Sequence, residues 1–246
     1  MGVGLCCGIA WNAASGALYV ALSGDDSTGA DWSRAYTNLQ TAVNAAGPGE
    51  MIYVKADTFA RASPVDLSGK VNVTISGGYA GTGPEPGPLA AGPSRFVRGT
   101  VETRLFYGQF TTVTVERHWI QGGLLTANPS YGGGLYFDQQ SQVLIRDCVI
   151  TNNQCSVLGT QEGGGLYING GQLRVENSDF VANALPKASW PTVSRGGALA
   201  AVNTQVVLSN TLFRSNYVHS RHNNAFGGAV YVVGGRCEII GSTFVT

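Results

Sequence analysis

Short runs in which apolar and polar residues alternate recur along most of the chain, and from residue 132 onward they return in register. Leu135, Phe137, Val143 and Ile145 alternate with polar or small neighbours, as do Leu173 and Val175. A period of two over so few positions predicts strands, and the runs are too short and too rich in glycine for helices. Gly132-Gly-Gly-Leu-Tyr-Phe137 recurs as Gly163-Gly-Gly-Leu-Tyr-Ile168, Gly196-Gly-Ala-Leu-Ala-Ala201 and Gly227-Gly-Ala-Val-Tyr-Val232. The starts at Gly132, Gly163, Gly196 and Gly227 are almost evenly spaced, the middle interval being slightly the longest. A second segment follows each start: Val143–Asn153, Leu173–Asn183, Val206–Asn216 and, in the last repeat, Cys237–Thr246.

The interval from glycine start to aromatic is identical for Gly163 to Phe180, Gly196 to Phe213 and Gly227 to Phe244. From Gly132 to Ile150 it is longer by a single position, which places one extra residue in the stretch 138–142. Fixed intervals inside a unit of variable length describe a constant cross-section with one adjustable loop, which is a solenoid. Ile150, Phe180, Phe213 and Phe244 then form one apolar column. Asn153, Asn183 and Asn216 form an amide column just after it, and Asp147, Asn177, Asn210 and Gly241 a third. A stacked asparagine can pass amide hydrogen bonds along the axis while holding the corner backbone. Glu116, Arg146 and Glu176 share one position and read as an outward polar row.

Upstream the pattern weakens. Val113–Ile120 reads as another coil with Ile120 in the aromatic column, and Val71–Ile75 and Met51–Val54 read as earlier strands. Gly81–Pro88 is a loop. Thr37-Asn-Leu-Gln40 fits a capping box, and Leu39, Ala42, Val43 and Ala46 share one face before Gly47-Pro-Gly49. The expected fold is all-β: a single-stranded right-handed parallel β-helix with a short N-terminal capping helix. Residues 1–16 read as a truncated signal segment or a hydrophobic first strand, 17–50 as a cap of strand plus helix, and 51–246 as coils, the last broken off mid-coil at Thr246.

Composition sharpens this. Gly supplies 35 of 246 residues, and charged residues only 12% against a norm of about 25%. With 43% apolar residues the chain is not disordered, so low charge points to burial. Fifteen basic residues balance fifteen acidic ones without clustering, which speaks against a nucleic-acid partner. No stretch is long and apolar enough for a transmembrane span. Cys148, Cys155 and Cys237 have no metal-type spacing and read as buried or free thiols.

The Gly-Gly-Ala/Gly starts, with Phe180-Val-Ala-Asn183 and Phe213-Arg-Ser-Asn216, resemble the repeats of polymorphic outer-membrane proteins. Tyr19–Ser27, Trp32, Leu39–Val43, Gly49–Val54 and Ile75–Gly81 are similar to the amino-terminal part of bacterial right-handed β-helix proteins of the pectate-lyase-like superfamily. Together these resemblances cover residues 17–246. They imply the β-helix fold and a secreted or bacterial cell-surface location, but no one activity, since this fold carries lyases, hydrolases, adhesins and passive stalks alike.

Catalytic chemistry finds no constellation. A lyase of this kind would need several carboxylates on one face for Ca²⁺, and a hydrolase two or three Asp close together. Asp147 stands alone among Asn177 and Asn210, and Asp25-Asp26 lies in turn chemistry. A Ca²⁺ cofactor is not supported by spacing, and no metal site is assigned. His118 is isolated; His219 and His222 sit in a polar loop without a carboxylate or cysteine nearby. The variable stretches 154–162, 184–195 and 217–226 must emerge on one edge and stack, exposing Trp190, Tyr217, His219, Arg221 and His222, with Arg195 closing the middle one. Aromatic faces and Arg or His donors suit sugar rings and their hydroxyls. The expected function is adhesion or glycan contact by an exported, non-catalytic segment, with a polysaccharide lyase or hydrolase and a passive stalk as alternatives. The expected partner is a polysaccharide or host glycan, and the chain is expected to be monomeric unless its open C-terminal coil pairs.

Overall fold

The computed structural model describes residues 16–188, 193–220 and 225–246. The expected signal segment and Trp190, Arg221 and His222 therefore lie outside the described residues. The chain winds into a parallel β-solenoid of about seven turns, with 51% strand and 3% helix.

One turn shows how the sequence makes the shape. Leu135–Asp138 and Gln142–Arg146 form one broad face, Val149–Thr151 a second, and the short Gln154–Cys155 and Gln161–Glu162 complete the section. Each strand pairs in parallel with its equivalent one coil away: Leu135 with Leu166, Val143 with Leu173, Ile150 with Phe180, Gln161 with Ser194. The extra residue falls where the spacing places it. The step from Leu135 to its partner Leu166 is one position longer than the step from Gln142 to Gln172, and Gln139 and Gln140 absorb the difference at φ 58° and 61°.

Between strands the chain turns through left-handed residues. Arg117, Asp147, Asn177, Asn210 and Gly241 occupy one corner in successive coils, at φ 58°, 53°, 47°, 48° and 58°. Asn, Asp and Gly dominate because a short polar side chain or none tolerates that region best. At the glycine starts a second constraint acts. A Cβ on Gly164 would lie 2.4 Å from the Gly197 carbonyl oxygen and 2.6 Å from that of Ala184, both backbone atoms that cannot rotate away.

The interior is a set of columns. Phe59, Phe96, Ile120, Ile150, Phe180, Phe213 and Phe244 lie in register. Phe180 and Phe213 stack at 5.0 Å between ring centroids, and Phe213 and Phe244 at 4.8 Å. Asn153 and Asn183 are fully buried. The Asn153 Nδ2 donates to the Ile120 carbonyl (3.0 Å) and to Asn183 Oδ1 (3.0 Å); the Asn183 Nδ2 donates to the Ile150 carbonyl (2.8 Å) and to Asn216 Oδ1 (3.1 Å). Each Oδ1 also accepts the backbone N–H of the residue one coil earlier, Gly123, Asn153 or Asn183.

The N-terminal part departs from expectation in one detail. Leu18–Val20 joins the broad face by pairing with Ile52–Val54, and the helix Leu39–Ala45 packs beside it with Leu39, Ala42 and Val43 buried. The helix is not opened by a capping box on Thr37. Asn38 is the N-cap, its side chain accepting from the Gln40 N–H at 2.9 Å. The Gln40 amide instead bridges to the backbone of Asp66, where it both donates and accepts. A short polar residue one position later thus takes the cap, and the glutamine is released to tie helix to coil.

Glu116 also differs from expectation. Rather than facing water in an outward row, it is 4% exposed, hydrogen-bonded to Ser76 Oγ at 2.8 Å and paired with both Arg117 and Arg146. Burial pushes its carboxyl up, but the Arg146 and Ser76 hydrogen bonds and the Arg117 charge outweigh that and hold it below the usual carboxylate range.

His118 is wholly buried in the column running from Ser94 through Cys148 and Ser178. Its Nε2 lies 3.3 Å from the Ile75 carbonyl, and Nδ1 has no partner. Burial lowers its pKa from 6.5 to about 4. The fold thus holds the neutral ring, while the unfolded chain takes up a proton near 6.5. Stability is complete above that pH and falls as pH drops towards 4, by roughly 3 kcal/mol in total. Urea midpoints measured from pH 7 to 4 are expected to fall more steeply for the native chain than for His118→Gln. Parallel profiles would refute it.

Candidate functional site

The variable stretches do emerge together. Gln154 pairs with Ala184 and Ala184 with Tyr217, while Glu162 pairs with Arg195 and Arg195 with Phe226, so the bases of three successive loops stack side by side. At the crest Tyr217 is 48% exposed and His219 is exposed. Arg195 lies lower. Its Nη1 donates to Glu162 Oε1 at 2.9 Å, and its guanidinium lies 5.2 Å from the Tyr231 ring centroid. Glu162 is 5% exposed, and burial pushes its carboxyl up against the opposing pull of Arg195. The arginine is thus committed at the base of the ridge, where it neutralises a buried carboxylate.

Beside the glycine corners runs a row of tyrosines. Tyr107, Tyr136 and Tyr167 stack at 5.3 and 5.4 Å, and Tyr131 meets Tyr167 at 4.9 Å. The Arg104 guanidinium lies 4.6 Å from the Tyr136 centroid, and the Tyr136 hydroxyl donates to Asp138 at 2.8 Å. Burial raises the Tyr136 and Tyr167 pKa values, so these hydroxyls stay protonated.

A concavity lies on the broad face, past the turn at 138–142. A groove of about 450 Å³ runs across successive coils between Asn72 and Val207. The register places Thr112, Gln142, Gln172 and Gln205 in one row along it. Thr114, Leu144, Arg174 and Val207 make the row alongside. A second depression of about 510 Å³ continues the glutamine row past Gln140, Gly170, Gly171 and Asn203. One amide per coil therefore repeats at the strand spacing of about 4.8 Å. Sequence reasoning passed over this row, although Gln142, Gln172 and Gln205 occupy the same place in each repeat, just before an inward Val, Leu or Val. The signal was the repetition itself.

The acidic and thiol groups are dispersed. Asp147 sits at its left-handed corner, 4.0 Å from Arg146, with its side chain 42% exposed. Asp25 accepts from the Ser27 N–H, and Asp26 from the Thr37 N–H, as turn residues do. Cys148 and Cys155 are buried free thiols, pushed up to about 12 by burial, and Cys237 is exposed. Among the described residues, no three His, Cys, Asp or Glu side chains gather as metal ligands would. Among the same residues, no helix is long and apolar enough to cross a membrane.

Compared with family models, curated proteins and solved structures, the chain matches none.

Proposed function

We propose that the chain is an exported, surface-displayed solenoid segment that holds a polysaccharide along its broad face without cleaving it. The carrying observation is the groove with its row Thr112, Gln142, Gln172 and Gln205. A linear glycan presents hydroxyls at a repeat close to one sugar unit. A solenoid presents polar side chains at the repeat of one coil. An amide donates and accepts, so it suits hydroxyls in either role. The apolar side chains of Leu144 and Val207 beside the row offer surface to the C–H edges of the rings.

Single hydrogen bonds of this kind contribute about 1 kcal/mol each. Three in a row, lost together, correspond to roughly a hundredfold in affinity. The triple variant Gln142→Ala, Gln172→Ala, Gln205→Ala is therefore expected to weaken binding about that much, with the urea midpoint little changed because the row is outward. Affinity electrophoresis in gels containing alginate, polygalacturonate, xylan or a soluble β-glucan measures it. Saturable retardation in none of these gels refutes the reading. Release of unsaturated uronates or new reducing ends would replace it with catalysis.

A further inference from the structure

One corner of the solenoid is unlike the rest. Between Thr112–Glu116 and His118–Gln121 the corner is Arg117 alone, and between Gln142–Arg146 and Val149–Thr151 it is Asp147 and Cys148. Between Val71–Tyr79 and Ser94–Arg98 the chain instead inserts residues 80–93. The insertion folds back on itself. The Ala80 N–H donates to the Pro88 carbonyl at 3.0 Å and the Ala90 N–H to the Gly78 carbonyl at 2.7 Å. Its tip is pinned, because the Trp32 Nε1–H donates to the Pro86 carbonyl at 3.1 Å. It is thus a fixed wall standing over the next two coils.

Against that wall the next coil sets Trp119 and the one after it Val149, neighbours in register on an outward row. Arg95, one coil earlier on the same row, places its guanidinium 4.1 Å from the Trp119 ring. Replacing an indole by a valine along the row leaves a step. The step, closed by Leu89–Pro93, Arg117 and Asp147, is a recess of about 310 Å³.

We propose that this recess binds a single neutral hexopyranose unit, as a branch or chain end of the polysaccharide. The proposal rests on the glycan reading above and assigns it a second, separate site. The volume suits one ring and not a chain. The wall is mainly apolar, from Leu89, Ala90, Ala91, Pro93 and Val149, with one indole, which matches the C–H face of a pyranose. The polar groups are few and of the right kind. Asp147 accepts from vicinal hydroxyls, and its carboxylate disfavours a uronate in the same place. Arg117 is already tied to Glu116, Ser76 and the Gly77 carbonyl, so it presents an edge and its own guanidinium is not free to pair with a carboxylated sugar. The pinned hairpin lets the site exist before the sugar arrives, which lowers the ordering cost of binding.

The test uses the whole chain labelled with 5-fluorotryptophan, with the Trp119 resonance assigned through Trp119→Phe. Glucose, galactose, mannose, N-acetylglucosamine and, as the acidic control, galacturonate are titrated to tens of millimolar. At least one neutral sugar is expected to move the Trp119 signal saturably, and galacturonate to leave it unmoved. Val149→Trp, which fills the step without touching the core, is expected to weaken that binding tenfold or more at an unchanged urea midpoint. If no neutral sugar moves the resonance, or if Val149→Trp binds as the native chain does, the recess proposal fails, whatever the gels show. If the gels show no retardation but the resonance moves, the groove reading falls and the recess stands.

Discussion

Replacing Asn183 by alanine is expected to cost the solenoid about 4 kcal/mol, seen as a large drop in the urea midpoint of its C-terminal half. The side chain is fully buried and serves four partners: the Ile150 carbonyl, Asn216 Oδ1, the Asn153 backbone N–H and the Asn153 side-chain amide. Alanine leaves all four without this partner in a dry interior. Each orphaned group costs about 1–3 kcal/mol, and partial relaxation brings the total to the lower part of that range summed. The amides also point the same way along the axis from Gly123 to Asn216, so each polarises the next and the middle member matters most. Asn210→Gly is the control. Asn210 stands in the outer column where Gly241 already serves one coil on, so its change should stay within about 0.5 kcal/mol. A drop of less than about 1 kcal/mol for Asn183→Ala, no more than one ordinary hydrogen bond, would mean that the ladder is decorative. Because coils contact only their neighbours, hydrogen exchange should show the loss concentrated in the strands flanking residue 183.

The same columns explain how far the sequence could be read. From Gly132 onward the intervals are nearly constant, so the aromatic and asparagine columns can be aligned by counting. Before that point the count breaks. Phe59, Phe96 and Ile120 belong to the same column, but the first interval is much longer than the second, because the hairpin at 80–93 lengthens one turn. Register shifts between Tyr53 and Lys55 and between Val71 and Val73 blur the earlier strands further. Local alternation still marks those strands; only their mutual alignment is hidden. Glu116 was misplaced for a related reason. Its position is outward when judged by Arg146 and Glu176, but the two arginines that bury it come from the corner and from the next coil. Arg117 is the next residue in the chain, but that it folds back over Glu116 while Arg146 closes in from the next coil is not visible in a single repeat. The Trp119 recess is more remote still, since it needs a hairpin from one coil, an indole from the next and a missing side chain from a third. A repeat makes its interior legible because every coil solves the same packing problem. What is peculiar to one coil, as the Trp119 recess is, follows no such rule.

Truncating Phe180 to alanine tests the interior column at its centre and is expected to cost about 4 kcal/mol. The ring is fully buried, with Phe213 stacked 5.0 Å away on one side and Ile150 in register on the other. Removing it loses the burial of a large apolar side chain, about 1.5–3 kcal/mol, and a stacked aromatic contact of about 1 kcal/mol. A cavity term adds to these, because the coil spacing is set by backbone hydrogen bonds and cannot close over the gap. Phe180→Leu separates the contributions. Leucine refills most of the volume but cannot stack, so its cost should be about 1 kcal/mol, the size of the lost aromatic contact. The difference between the two variants then measures the lost apolar burial together with the cavity. Ile150→Phe makes the converse change, adding a ring where the column already tolerates an aliphatic residue. If the column is as evenly spaced as Phe180, Phe213 and Phe244 indicate, this substitution should be neutral or stabilising. If Ile150→Phe destabilises by more than about 2 kcal/mol, the cross-section narrows at that coil, and overpacking rather than stacking governs the interior there.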